Sequence, residues 1–483
     1  MARGHRQLEH LLRRAGFGAS IADLTKYQDL SVNVVTDLLL NSGPDNDADA
    51  KIGQPGYVSV TTRGTFSPNT NIEDARQRWL FRLVHTESPL VEKMALFWHN
   101  HFATAYSKVA GTYGAVQGTR MMAGMPGQVQ GPPGQIELFR QHALGSFRDL
   151  LVAVAKDPAM LVWLDGRTNT RQRPQENFGR EIMELFTFGI GNYTEQDVYA
   201  AARVFTGWNL QTVGNPGTVA GYYDFIFRAN QHDTSEKTFT FPIYRDGRTT
   251  IPARSGEEGM QDGLDLIDAL ASHPNTGRFL ARKFWGFFIS ETQPPDPAFV
   301  ESVAQVYRQN NTGIRPVVRY ILRSPWFLDP ASHYARYSWP VEYAVRLVKD
   351  IGWVGYSIDN VRTPLVNMGQ QLFEPPDVAG WALGETWFST GAMLARMNFA
   401  ASLALNQRFN LGRTAAAYRD SPERLLDYFI DRMAPAEYDN EPRSELLNYL
   451  NATGSWTGSD PQLTTKAAGL ARLIAGSAEY QVV

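Results

Sequence analysis

Pro89–Thr104 reads PLVEKMALFWHNHFAT, and its periodicity sets the fold class. Leu90, Met94, Phe97, Trp98, His101 and Phe102 recur every three or four residues, which predicts one buried helical stripe. Upstream, Asn71–Val84 has the same periodicity. His10–Arg14 is a shorter helical stretch broken at Gly16 and Gly18, and Ser20 is placed to cap a helix running through Lys26. Asn41–Gly56 is polar and rich in Gly, Pro and Asp, as a loop is.

Downstream, Gly111–Gly134 holds seven Gly, three Pro and no charged residue but Arg120. It reads as a long mobile loop. Helical periodicity returns at Gln135–Lys156, and Asp157–Pro174 is polar and turn-rich. Asn177–Phe188 is helical, with Gly189 and Gly191 as stop signals. Thr194-Glu-Gln-Asp197 has the spacing of a capping box opening Glu195–Thr206. In Gly221–Pro252, Tyr222, Tyr223, Phe225, Phe227, Phe239, Phe241 and Tyr244 mark strand-like runs, and Asp246-Gly247 marks a hairpin turn. Helices resume over Gly259–Arg323, Pro340–Trp353, Thr390–Leu405 and Pro422–Met433. Phe373–Trp387 is irregular, and Ser477–Val483 reads as a tail. The expected fold is mainly α: a large multi-helix body with a small β-hairpin insertion and long irregular loops. Its parts are an N-terminal helical part (1–105), the Gly-rich loop (106–134), a helical core with a carboxylate cluster (135–212), the β insertion (213–258) and a C-terminal helical part (259–483), joined in one compact body.

Composition narrows the function. The 483 residues include 46 Lys+Arg against 49 Asp+Glu, a net charge of -3 that gives no field for steering nucleic acid. Cysteine is absent, so disulfides, thiolate metal sites and a cysteine nucleophile are excluded. No apolar run approaches the ~18–20 residues of a membrane span. Met1–His10 lacks the apolar core of a signal peptide. The phosphate-binding loop, the Gly-x-Ser-x-Gly elbow and the His-Glu-x-x-His zinc motif are also missing.

Asp165–Trp208 carries the strongest chemical signal. On a helix from Asn177, the residues Phe178, Ile182, Leu185 and Phe186 line one face, while Asn177, Arg180, Glu181 and Glu184 line the other. Glu176 stands at the helix entrance. Glu181 and Glu184, three residues apart, are neighbours at ~5–6 Å between Cβ atoms. Two carboxylates in unequal environments are what acid–base hydrolysis needs. Asp165 and Asn169 lie in the flanking polar loop, and Trp163 and Trp208 are near in sequence. The structural alternative is a solvated helix face, or one that Arg180 ties to a neighbour.

Three further clusters qualify. His99 and His101 lie two apart on a helix, so their rings diverge by ~200° and do not share an ion. Each alone can serve as acid, base or single ligand; the alternative is a buried histidine bonded to a carbonyl. His232 and Asp233, with Lys237 nearby, sit in the β insertion. Glu374, Asp377 and Trp381 sit on the irregular Phe373–Trp381 segment, where binding residues concentrate.

Several of these stretches together resemble a known family. They are His10-Leu-Leu-Arg-Arg-Ala-Gly-Phe-Gly18, Phe97-Trp-His-Asn-His-Phe102, Glu176-Asn-Phe-Gly-Arg-Glu-Ile-Met-Glu-Leu-Phe186, Tyr193-Thr-Glu-Gln-Asp-Val198, Ala202-Arg-Val-Phe-Thr-Gly-Trp208, Phe373-Glu-Pro-Pro-Asp-Val-Ala-Gly-Trp381 and Leu394-Ala-Arg-Met-Asn-Phe399. In this order they resemble the bacterial family called domain of unknown function 1800. The resemblance covers almost the whole chain and implies export more often than a cytosolic location. It names no reaction.

The functional expectation is a hydrolase acting on a carbohydrate, a polysaccharide above all. Glu181 and Glu184 would be acid and base, with Glu176 or Asp165 third. Substrate would be held by Asn169, Asn177, Arg180 and Trp208, with His99, His101, His232, Asp233, Glu374, Asp377 and Trp381 as further contacts. No cofactor is expected. One alternative is an enzyme using one divalent metal on His99 or His101 with Glu181 or Glu184. Another is a non-catalytic binding or assembly protein.

Overall fold

The computed structural model describes residues 3–218, 220–433, 440–452 and 454–483. Pro89–His101 is the central helix, and all of it but Pro89 and Asn100 is buried, the predicted stripe of Leu90, Met94, Phe97, Trp98 and His101 included. Lys93 and Glu92 on its other sides are buried as well, because helices surround it. Ile72–His85, Gln135–Gln141 and Pro340–Ile351 belong to the same packed body. One contiguous core of apolar side chains runs from Leu8 to Tyr480.

The caps follow from sequence. Ser20 accepts from the Asp23 amide and Thr194 from the Asp197 amide, and in both the Asp side chain returns the bond to the cap residue, completing capping boxes. The fold is mainly helical, with 24 α-helices and two small antiparallel two-stranded sheets among the described residues.

The sheets form the β insertion. β1 (Trp208–Val213) pairs with β2 (Tyr222–Phe227) in the register Trp208↔Phe227, and β3 (Lys237–Thr238) pairs with β4 (Thr250–Ile251). Gly247, at φ 88°, makes the turn that Asp246-Gly247 signals. The insertion begins earlier than expected: Trp208 opens a strand and does not close a helical core.

Four local expectations are corrected. The stretch 106–134 is not one long loop, because Tyr106–Tyr113 and Ala115–Ala123 are helices and only the remainder is irregular. Glycine here serves packing: a Cβ at Gly118 would lie 2.8 Å from the Ala110 Cα, so the two helices touch at their backbones. Asp157–Pro174 contains a buried helix, Pro158–Trp163, capped by Asp157. The helix expected over Asn177–Phe188 spans Glu176–Glu184. Beyond it the Phe188 and Gly189 amides both bond back to the Met183 carbonyl. Finally, Ser477–Val483 is no free tail: Tyr480 is fully buried and the Val483 amide donates to the Arg336 carbonyl.

Candidate functional site

The His99-Asn100-His101 segment ends the central helix, and its side chains radiate to three distant stretches. His99 Nε2 accepts from the Phe373 amide at 3.2 Å. Asn100 Oδ1 accepts from the Trp381 amide at 2.7 Å. A Cβ at Gly380 would lie 2.3 Å from that same oxygen, so glycine is required there. His101 Nε2 donates to the Phe186 carbonyl at 3.1 Å, leaving Nδ1 to accept from Lys283 Nζ at 3.1 Å. Both rings are buried and neutral. Burial pushes His99 down to about 3, and burial with the Lys283 charge holds His101 well below its ordinary value. Burial also lowers Lys283 to about 8. The two rings therefore serve as acceptor and donor to backbone on opposite sides, and Trp381, against the His99 ring at 5.5 Å, is buried with them.

This clamp sets the position of the polar residues outside it. The Tyr106 amide donates to the Phe373 carbonyl, and Glu374 Oε2 accepts from the Ser107 amide at 3.2 Å, capping that helix from afar. The next residue, Lys108, donates to Asp165 Oδ2 at 3.1 Å and to the Trp163 carbonyl at 2.6 Å. Asn177 Nδ2 donates to the same Asp165 oxygen at 3.2 Å. Asp165, Asn177 and Glu374 thus converge on the first turn of Tyr106–Tyr113, and Glu181 lies one helical turn beyond Asn177.

Glu181 and Glu184 are both half-buried. The Glu181 carboxylate accepts no hydrogen bond among the described residues, and it is pushed up to about 6, by burial first and the neighbouring Glu184 second. Glu184 Oε2 accepts a close hydrogen bond from the Tyr193 hydroxyl. Tyr193 is itself raised to about 12, mainly by burial, so it remains a donor. Arg180 does not bind this pair. It makes a double hydrogen bond to Glu195 at 2.8 Å and 2.8 Å, with Glu176 at 3.5 Å. Neither glutamate lines the cavities of 870, 690 and 160 Å³ found elsewhere on the described surface.

The other candidates are placed inside the protein or tied off. Asn169 is buried, its amide donating to the Ala202 carbonyl at 2.8 Å while its oxygen accepts from the Gln175 amide at 3.0 Å. Trp208 is buried against Phe205 and Phe225. His232 is fully buried, with Nδ1 at 2.8 Å from the Thr206 carbonyl and Nε2 at 3.1 Å from Asp262. Lys237 and Arg254 close on the same Asp262 at 2.5 and 2.6 Å. Asp233 is bound by Arg203 at 2.8 Å, and its carboxyl is held low: burial opposes this, but the Arg203 bond outweighs it. Asp377 accepts from the Ala379 amide within its own turn. Asn169, Trp208, Trp381, His99, His101 and His232, expected as substrate contacts, are buried in the core.

Lys108, Tyr193 and Lys283 were missed in the sequence. Lys108 lies in the stretch read as a loop, and Tyr193 and Lys283 reach their partners only through tertiary contacts. Among the described residues no group of three or more His, Asp or Glu side chains is placed to hold a metal ion. No described helix is long and apolar enough to cross a membrane.

The chain belongs to the family described as a protein of unknown function, DUF1800, whose model matches residues 10–482. No curated protein and no solved structure matches it.

Proposed function

We propose that the protein is a hydrolase acting on a carbohydrate polymer, with Glu181 as general acid and Glu184 as its base or nucleophile partner. One observation supports this reading above others. Glu176, Asp165, Asp233, Glu374 and Asp377 are each engaged by a cation or a backbone amide, whereas the Glu181 carboxylate has no hydrogen-bonded partner among the described residues and a pKa of about 6. A carboxyl of that kind keeps its proton up to about pH 6, above the ordinary glutamate range, and can give it to a glycosidic oxygen. Glu184, fixed by the Tyr193 hydroxyl, then serves as base or nucleophile toward the sugar. The test is a reducing-end assay across neutral and acidic polysaccharides with the native protein and Glu181→Gln. Release of reducing ends by the native protein alone supports the reading, and no release from any polymer refutes it.

A second reading, a binding or assembly protein, has one observation in its favour. Leu394 and Met397 on the Thr390–Ala404 helix and Leu405 just past its end are 58%, 52% and 63% exposed, and the first two also line the 690 Å³ groove. Concentration-dependent self-association that Met397→Glu abolishes would favour it.

A further inference from the structure

A second cleft, of 870 Å³, lies between the end of the Met260–Ser272 helix, the β3–β4 connection and the end of the Pro297–Gln309 helix. Its size suits a ligand of a few sugar rings. Arg148, Tyr244, Arg245, Asp268, His273 and Arg308 line it.

The acids of this cleft are already neutralised. Asp268 accepts from Arg148 at 2.5 Å. Asp265 accepts from Arg254 at 2.6 Å and from the Tyr244 hydroxyl at 2.7 Å. Three donor groups are left over. Arg245 and Arg308 are exposed and hydrogen-bond to no carboxylate among the described residues; Arg308 feels Glu301 only through space. His273 Nδ1 accepts from the Asn275 amide at 3.2 Å, capping the Pro274–Phe284 helix. A neutral His273 therefore carries its proton on Nε2, where no partner takes it. Two guanidinium groups unpaired among the described residues and one imidazole N–H around the cleft make a site for an anion. The Tyr244 ring, Pro242 and Pro274 supply apolar wall, which suits the C–H face of a sugar.

The cleft is joined to the carboxylate pair. Asn275 Nδ2 donates to Asn192 Oδ1 at 2.9 Å, and the next residue, Tyr193, holds Glu184. On the inner side the His273 ring packs on Phe188 at 4.4 Å, four residues past Glu184. Only the short Gly189–Tyr193 loop separates the two features.

We infer that this cleft binds a carboxylate-bearing oligosaccharide, so that the polymer substrate is an acidic one. The inference rests on the hydrolase reading for its link to cleavage but not for binding. Isothermal titration of the full chain at low salt, with a short oligogalacturonate and a neutral cello-oligosaccharide of equal length, tests it. The acidic sugar should bind and the neutral one should not. The double variant Arg245→Ala/Arg308→Ala should weaken acidic binding by about 10–100-fold, the loss of one or two charge-assisted bonds, with unfolding unchanged because both side chains are exposed. Equal binding of the two sugars, no binding of the acidic sugar, or binding that the double variant leaves intact would overturn the inference. Binding of oligogalacturonate with no release of reducing ends from any polymer would sink the hydrolase reading alone. Cleavage of a neutral polymer without oligogalacturonate binding would sink the cleft assignment alone.

Discussion

Glu181 is the residue on which the chemistry turns, and its pKa gives two linked expectations. A general acid must be protonated, so activity should fall as pH rises through about 6. The stability sign is the same. A carboxyl whose folded pKa lies above its unfolded value of about 4.3 favours the folded state at low pH, and that contribution is lost as pH rises through about 6. Glu181→Gln should therefore reduce activity by ~10²–10⁴ while slightly raising the thermal midpoint at pH 7–8, a combination that calorimetry and a reducing-end assay read together. A midpoint that drops instead would mark Glu181 as a structural group. Glu184→Gln should also cost activity, and Tyr193→Phe should lower it by freeing Glu184 from its donor. Glu195 looks in the sequence like a first-turn carboxylate suited as an inert control. The structure makes it the clamp on Arg180, so its replacement releases a guanidinium one position from Glu181 and is no neutral comparison.

Between elements, the His99-Asn100-His101 segment acts as a staple. It bonds backbone groups of residues 373, 381 and 186, and those strangers in sequence become neighbours of the Tyr106–Tyr113 helix. Asn100→Ala removes the acceptor for the buried-side Trp381 amide and should cost about 1–3 kcal/mol. Hydrogen exchange should then quicken over residues 373–381 first. The pair of helices before Gly124 depends on a different kind of contact. Gly118→Val would force the Ala110 backbone away and should destabilise by about 1–3 kcal/mol, as overpacking does, measured by urea unfolding.

Across the whole molecule, the two chain ends meet at one buried ionic cluster. Glu342 accepts from Arg336 at 2.8 Å and from the Trp339 amide at 3.0 Å, with Lys93 also bound. Lys93 donates to the Gly16 carbonyl at 3.0 Å, and Arg14 donates to the Ser332 carbonyl at 2.6 Å. The Val483 amide bonds to Arg336. Burial alone would raise the Glu342 carboxyl, but Arg336 and then Lys93 outweigh it and hold it at about 2. With a depressed pKa, its contribution is present above about 4.3 and is lost as pH falls toward about 2. Glu342→Gln should cost about 3–5 kcal/mol at pH 7, because it leaves buried cations without their anion, and acid unfolding should lose its steepest part. Removing residues 477–483 should also lower the unfolding midpoint, since Tyr480, whose hydroxyl bonds Asp350 at 2.7 Å, leaves a buried carboxyl exposed to solvent.

What the sequence determined by itself is local: the helical class from three- and four-residue spacing, the capping boxes at Ser20 and Thr194, the hairpin turn at Gly247, and the polar face of Glu176–Glu184. Each depends on neighbours a few residues away, so a linear reading reaches it. It misread 106–134 because glycine marks both flexibility and close helix contact, and only the partner Ala110 distinguishes them. It left open whether His99, His101 and His232 face a ligand or the core, and did not show that Trp208 and Asn169 are buried, because burial is decided by elements far along the chain. The tertiary structure alone decided that Arg180 belongs to Glu195 and leaves Glu181 free. It also decided that Lys108 joins Asp165 to Asn177, and that an arginine-rimmed cleft opens beside the Gly189–Tyr193 loop. Those are long-range electrostatic and packing outcomes, and no spacing in the sequence encodes them.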